Sequence, residues 1–493
     1  MSDYDVIVVG AGNAAGCAAL SAREKGAKVA MIERAPEDEA GGNTRFTAGS
    51  MRVVYDGVDD IRKLVDLSDA EVAMTDFGTY TQDQFFDDIF RVTQYRTDPD
   101  MAETLVTKSL DTLIWMRSKG VQFVPIYGRQ AFKIDGKFKF WGGLTVESRG
   151  GGPGLFEYLI NAARREGIDV FFETRAVELL YDGENVSGVR VKHNGKLRDM
   201  TAKCVILACG GFQSNPEMRT RYLGAGWELA KVRGTRFNTG DGLNMGLAIG
   251  AASYGNFSGG HAVGWDRNAP EFGDLAVGDQ FQKHSYPFFI MVNAEGKRFV
   301  DEGADFRNYT YARYGRVILN QPGQFAWQVL DSKVAHLKRD EYNIRRITKV
   351  TANTLEELAE KLEGVDPKAF LAEVKAYNAA VRQDIPFNPN VKDGRRTDGL
   401  AINKSNWANT IDTPPFEGYG VTCGLTFTFG GLRINGEGQV VDTDLKPIPG
   451  LYAAGECVGG LFYFNYPGGS GLTAGAVFGR MAGASAGAAA AAR

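Results

Sequence analysis

The chain has 493 residues, enough for about three compact units or one elaborated one at roughly 150 residues per domain. Apolar residues make up 44% and charged residues 24%, which excludes a disordered chain. A balance of 56 basic against 60 acidic residues leaves a net charge of −4, with no electrostatic footprint for nucleic acid or for an anionic membrane.

The chain opens on an apolar run, residues 4–9 (YDVIVV), which reads as a parallel strand buried on both faces. It leads into Gly10-Ala11-Gly12-Asn13-Ala14-Ala15-Gly16 and then a helix of small residues. A second strand, Lys28 to Ile32, ends at Glu33, followed by Arg34. This is a GxGxxA dinucleotide fingerprint in its proper strand–helix–strand context. Gly10 permits the tight turn, and Gly12 lets backbone amides reach a pyrophosphate at the helix N-terminus. Ala15 and Gly16 allow close helix packing, and Glu33 can accept ribose hydroxyls. Glycine, at 62 residues, is nearly twice its usual ~7% share, as close backbone approach to a long phosphate-bearing cofactor requires.

No leader precedes the first strand, and no apolar run reaches the ~18–20 residues of a membrane span. The five cysteines (Cys17, Cys204, Cys209, Cys423, Cys457) are scattered and lack a CxxC spacing. That argues against a disulfide framework, zinc or an iron–sulfur cluster and for a reducing compartment, so no metal site is expected. The expectation is a soluble cytoplasmic protein. A helical excursion is expected over about 58–120 and return strands around 170–212. Two amphipathic helices follow, one opening on a capping-box pattern at Thr354 to Glu357 and one on Asp366-Pro367.

Gly41-Gly42-Asn43-Thr44-Arg45-Phe46-Thr47-Ala48-Gly49-Ser50 resembles the flavin-wrapping segment of the flavoprotein subunits in the fumarate reductase and succinate dehydrogenase superfamily. Further matches are Asn185 to Val189, Leu207 to Phe212, Thr239-Gly240-Asp241-Gly242, Leu451 to Glu456 and Pro467 to Leu472. The resemblance covers essentially the whole chain. It implies an α/β fold: a Rossmann-like FAD-binding domain of the glutathione-reductase type with an inserted α+β substrate-capping domain. The expected division is 1–261 and 406–493 for the FAD-binding parts and 262–405 for the cap. The implied cofactor set is Gly10, Gly12, Asn13, Ala14, Ala15, Glu33, Arg34, Gly42, Asn43, Thr44, Thr47, Ala48, Gly49, Val177, Ala208, Gly210, Asp241, Gly455, Glu456, Ser470, Gly471 and Leu472. Ser470 to Leu472 open the last helix, whose positive end can face the flavin edge where reduction deposits charge. In that helix Gly471, Gly475, Gly479, Gly483 and Gly487 recur every four residues, a groove for close contact. No histidine lies near Gly41 to Ser50, where relatives with covalent flavin carry one, so non-covalent FAD is expected.

The superfamily's shared reaction is α,β-desaturation beside a carboxylate or ketone, or its reverse. The stretch Val292 to Glu302 (VNAEGKRFVDE) matches fumarate reductases, and the resemblance makes Arg307, a few residues on, the acid/base or substrate clamp. Two departures stand out. Where fumarate reductases have a carboxylate-holding histidine, this chain reads Phe427-Thr428-Phe429, and where they have an arginine it has Tyr466 before Pro467-Gly468-Gly469. His261 is the candidate surviving histidine, and His284, Thr428 and Gly469 complete the expected substrate site. Tyr466 followed by glycines is similar to flavin ketosteroid dehydrogenases, in which a tyrosine and a glycine amide polarise a ketone. The two termini together look closest to FAD-dependent tricarballylate dehydrogenases. The readings are therefore a small-carboxylate dehydrogenase, a desaturase or reductase of a cyclic ketone or enone, and a non-catalytic flavoprotein. In the first, electrons leave to a separate protein or quinone-linked acceptor, since the chain has no haem or iron–sulfur motif.

Overall fold

The computed structural model describes residues 2–140 and 143–492. Its main sheet forms because the chain's apolar runs can be satisfied only by burial on both faces. In Tyr4–Val9 the side chains of Val6, Ile7 and Val8 have no exposure, each a contribution of ~1.5–3 kcal/mol. This strand lies parallel between Val29–Ile32 and the end of Lys196–Leu207, with Val9 opposite both Ile32 and Leu207. Asp169–Phe171 extends the parallel sheet beyond Val29–Ile32, and Pro447–Ala453 returns beside Lys196–Leu207 on the other side. An antiparallel extension, Thr174–Tyr181 and Val186–His193, pairs with the first half of Lys196–Leu207. The expected α/β, Rossmann-like architecture is present, and a region more than 400 residues from the N-terminus supplies one of its central strands.

The turn after the first strand requires glycine. Gly10 has φ +117°, and a Cβ there would stand 2.4 Å from the Ala208 carbonyl oxygen. The helix that follows, Asn13–Glu24, packs along the last helix, Ser470–Ala492. Side chains at Gly479 and Gly483 would meet the carbonyl oxygens of Ala14 and Ala18 at 2.4 and 2.1 Å. The four-residue glycine spacing is therefore a backbone-to-backbone seam between the two ends of the chain. Asn13 spans the seam at its top: its Nδ2 donates to the Leu472 carbonyl at 2.7 Å, and its backbone N–H donates to Thr44 Oγ1 at 2.9 Å.

The helical excursion comprises Val58–Arg62, Asp69–Met74, Gln82–Val92 and Pro99–Ser118. The other two expected helices are Leu355–Lys361 and Pro367–Ala380. Thr354 caps the first by accepting from the Glu357 N–H, but the reciprocal arm is shifted: Glu357 takes the N–H of Asn353, one residue early. Asp366 caps the second through Ala369 N–H at 2.9 Å, with Pro367 as its first residue.

A second, six-stranded sheet is organised around the 13-residue strand Phe416–Thr428. Gly260–Asp266, Phe325–Leu330 and Lys349–Ala352 pair with it antiparallel, and Lys231–Val232 parallel. The sequence reading had put residues after 406 with the FAD-binding part and ended the preceding part at 261. The pairing instead ties Phe416–Thr428 and Lys231–Val232 to the strands of the insertion, and Gly260–Asp266 runs across the expected boundary. Hydrophobic pattern did not reveal this, because a strand buried on both faces reads alike in either sheet. No helix among the described residues is long and apolar enough to cross a membrane.

The seam makes a direct prediction. Gly483→Val forces a branched side chain against the Ala18 backbone and should destabilise by about 3 kcal/mol or more, the upper end for overpacking. Chemical denaturation measures this, and a loss below 0.5 kcal/mol would mean the two helices are not in backbone contact.

Candidate active site

Where the two sheets meet, one cleft encloses about 1940 Å³ of space, its solvent-open mouth included. Small-molecule pockets usually hold ~300–1,000 Å³, so a dinucleotide and a second molecule fit together. One end is lined by Gly10, Gly12, Asn13, Ala14, Glu33 and Arg34, and the other by Arg307, His261, His284 and Tyr466.

At the first end the helix Asn13–Glu24 begins without a side-chain cap and without an acid in its first turn. Its positive terminus thus opens on the cleft, as binding of a pyrophosphate requires. The Glu33 carboxylate is held by the N–H groups of Ala11 (3.1 Å) and Ala35 (2.9 Å), and burial raises its pKa despite those bonds. Arg34 reaches Asp241 at 2.9 Å, and Arg175 forks onto the same carboxylate at 2.8 and 2.9 Å. Gly42, Asn43, Thr44, Thr47, Ala48, Ala208 and Gly210 also line the cleft. Asn43 is committed structurally as well, since its Nδ2 donates to the Thr426 carbonyl and its Oδ1 accepts the Thr235 N–H.

In the middle stand Gly455, Glu456, Gly471 and Leu472. One Glu456 oxygen accepts from Gly211 N–H (2.8 Å), Gln213 Nε2 (3.2 Å) and Asn238 Nδ2 (3.3 Å). Burial nevertheless pushes this carboxyl up to about 7. The start of the last helix is fixed by Arg52, fully buried, whose Nε donates to the Gly468 carbonyl at 2.8 Å and whose N–H donates to Gly469 O at 3.1 Å. The uncapped helix ends, the acceptor carboxylates and the length of the cleft suit FAD.

Four residues of the expected cofactor set do not line the cleft. Val177 is on the outward face of its strand, 36% exposed, and Ala176 takes the inner position, as strand alternation dictates. Ala15 is fully buried within the helix core. Gly49 packs on the Gly151 backbone and accepts from Ser148 N–H at 2.9 Å. Ser470 is buried, its hydroxyl donating to the Pro467 carbonyl at 2.5 Å.

The far end brings all six expected catalytic and substrate residues to one wall. Arg307 lies on a single helical turn, Arg307–Tyr309, just before the helix Tyr311–Leu319. Its guanidinium donates to His284 Nδ1 (3.2 Å) and to the Arg129 carbonyl (3.2 Å), and burial lowers its pKa. His261, on the strand Gly260–Asp266 opposite Phe427, has no partner for either ring nitrogen. Its ring lies 4.8 Å from those of both Tyr311 and Tyr466. Burial holds His261 and His284 well below the usual histidine pKa, so both are neutral at pH 7. The Tyr466 and Tyr311 hydroxyls are hydrogen-bonded to each other, and burial raises both. Thr428 Oγ1 accepts from Phe212 N–H at 3.4 Å. Phe427, Phe429 and Phe462 make the apolar part of this wall.

Sequence reasoning did not single out Tyr311, Arg129, Arg233, Asp279 or Gln282, all of which line the cleft. Tyr311 carried a usable signal, lying one turn beyond Arg307 on the same segment. The others sit in separate stretches with no local pattern.

The FAD binding domain family model matches residues 5–472. The chain is similar to the NADH:fumarate oxidoreductase of Klebsiella pneumoniae (strain 342), 28% identical over 97% of this chain but only 47% of that protein. It is 30% identical to the fumarate reductase (cytochrome) of Shewanella frigidimarina, over 97% of this chain and 76% of the relative. Its fold is shared with the 3-ketosteroid delta1-dehydrogenase of Sterolibacterium denitrificans, at a TM-score of 0.75 and 21% identity over 99% of this chain and all of that one. The chain therefore belongs to the FAD-binding domain family, within the fumarate reductase/succinate dehydrogenase flavoprotein superfamily, and is an FAD-dependent oxidoreductase of the CH–CH class.

Glu456 gives a pH signature in protein stripped of flavin. Its folded pKa of about 7 lies above the ordinary 4.5, so the folded state binds the extra proton between those values. Stability is therefore fullest below pH 4.5 and falls by ~3 kcal/mol as pH rises through 7. Glu456→Gln should remove this component, stabilising the apoprotein at pH 7.5 relative to wild type and hardly at pH 5. Equal effects at both pH values in denaturant melts would contradict the assignment.

Proposed function

We propose that this protein catalyses α,β-desaturation of a small carboxylate, or its reverse, with non-covalently held FAD. The reading is carried by one observation: a buried wall that combines Arg307, bonded to neutral His284, with a neutral His261 whose two nitrogens are unpartnered. Buried polar atoms without partners are rare and costly, and a ligand carboxylate satisfies them. FAD, when bound, supplies hydride transfer at N5.

The chain's own residues do the rest. His261 and Thr428 offer neutral donors to the carboxylate, and Gly469 brings backbone close to it. Arg307, lowered by burial and oriented by His284, exchanges the proton at the substrate carbon. Tyr466, kept protonated and paired with Tyr311, donates a hydrogen bond to the developing enolate oxygen. The aromatic residues Phe427, Phe429 and Phe462 exclude water from the reacting carbons. A tricarballylate-like substrate oxidised to a cis-aconitate-like product is the specific form of this reading, with a separate protein or quinone-linked partner taking the electrons.

A cyclic ketone or enone is the second reading, favoured by the same aromatic wall and by the Tyr466–Tyr311 hydroxyl pair, which can polarise a ketone. Turnover of tricarballylate, succinate and cyclic ketones with an artificial electron acceptor decides between them. Turnover of ketones alone would overturn the carboxylate reading, and none with any of the three would overturn both. Arg307→Ala should lower kcat by about 10²–10⁴-fold with the flavin spectrum intact, and unchanged kcat would remove it from the chemistry. Tyr466→Phe should raise KM mildly for a carboxylate, whereas a severe kcat loss would favour ketone polarisation. Acid precipitation should release all the flavin into the supernatant, while yellow pellets would show a covalent bond.

A further inference from the structure

Arg129, Asp279 and Arg233 come from three separate segments and line the same cleft as Arg307 and His261. Arg129 forks onto Asp279, at 2.8 Å from Nη1 to Oδ2 and 3.0 Å from Nη2 to Oδ1. Gln282 Nε2 also donates to Oδ2, at 2.9 Å. The carboxylate is thus engaged before Arg233 reaches it, and the nearest Arg233 nitrogen stays 3.9 Å away, beyond hydrogen-bond range. Arg233 is only 6% exposed, and its Nε has no hydrogen-bond partner. Its backbone is firmly placed: it follows the strand Lys231–Val232, and its N–H donates to the Leu425 carbonyl at 2.8 Å, close to Phe427 and Thr428.

The charges do not balance at this wall. Three guanidiniums, Arg129, Arg233 and Arg307, face one cleft with the single carboxylate of Asp279 among them. A buried guanidinium short of partners costs several kcal/mol unless an anion joins it. The charge of Arg233 bears on His261, His284, Tyr311 and Tyr466, which places it beside the reacting end rather than at the nucleotide end.

We infer that Arg233, backed by the Arg129–Asp279 pair, is an anchor for a second carboxylate of the substrate, apart from the one held at His261 and Arg307. Asp279 is the positioning residue: by engaging Arg129 it keeps that fork in register and leaves the Arg233 donors for the ligand. The site then selects dicarboxylates and tricarboxylates over monocarboxylates. This rests on the carboxylate reading proposed above.

The test uses the flavin-loaded protein. Citrate serves as an unreactive tricarboxylate, its binding read from the flavin absorbance and from thermal stabilisation, with propionate as the monocarboxylate. Arg233→Gln should weaken citrate by about 30-fold, the loss of one charged hydrogen-bonded contact, and propionate by less than about 3-fold. Arg233→Lys keeps the charge and loses the fork. It should weaken citrate by about 5-fold, and it decides the matter if the glutamine variant does not retain flavin. Equal weakening of citrate and propionate, or none, would overturn the inference. If wild type binds citrate through Arg233 yet turns over no carboxylate, the proposed reaction fails and the anchor stands. If carboxylates turn over and Arg233→Gln discriminates as wild type does, the anchor fails and the reaction stands.

Discussion

The contact between the backbones of the first and last helices governs this molecule. Gly479 and Gly483 sit where any side chain would strike the Ala14 and Ala18 carbonyls, so the helices approach as closely as main chain allows. That approach brings the turn after Val9 and the turn before Ser470 to the two sides of one cleft. Asn13 bonds to Leu472 across the gap and to Thr44 on the third flanking loop. Three segments separated by hundreds of residues become a single binding surface, and the strand Pro447–Ala453, parallel to Lys196–Leu207, holds the returning chain in register.

The far end of the cleft depends on a different constraint. The long strand Phe416–Thr428 pairs with Gly260–Asp266 on one side and Phe325–Leu330 on the other, and so fixes His261 opposite Phe427. Arg52 ties Gly468 and Gly469 beneath this wall and leans over the rings of Tyr80 and Tyr309. The result is a pocket whose cationic and neutral donors outnumber its acceptors. Such a surface is costly in an apoprotein and is relieved by an anion, which links the site's electrostatics to its specificity.

Much of this was legible from residues alone, and the reason is local. A strand, a glycine turn, a small-residue helix and an acid at the end of the next strand are close in sequence, so the first half of the nucleotide site announces itself. The glycine spacing of the last helix is likewise a local pattern, and the seam is its consequence. Where the reading slipped, the determinant was not local. Val177 against Ala176 turns on which face of a strand points inward. The placement of Phe416–Thr428 turns on pairing partners up to about 200 residues distant. Arg129, Arg233 and Asp279 form a cluster only because two loops and a two-residue strand meet in space, and no spacing along the chain encodes that.

The structure of the flavin-loaded protein is the most direct check. The account predicts an isoalloxazine ring between the Thr44–Ala48 loop and the amides of Gly471 and Leu472, its N5 edge turned toward Arg307 and His261. A ring bound elsewhere, or one whose N5 edge faces away from those two side chains, would contradict it.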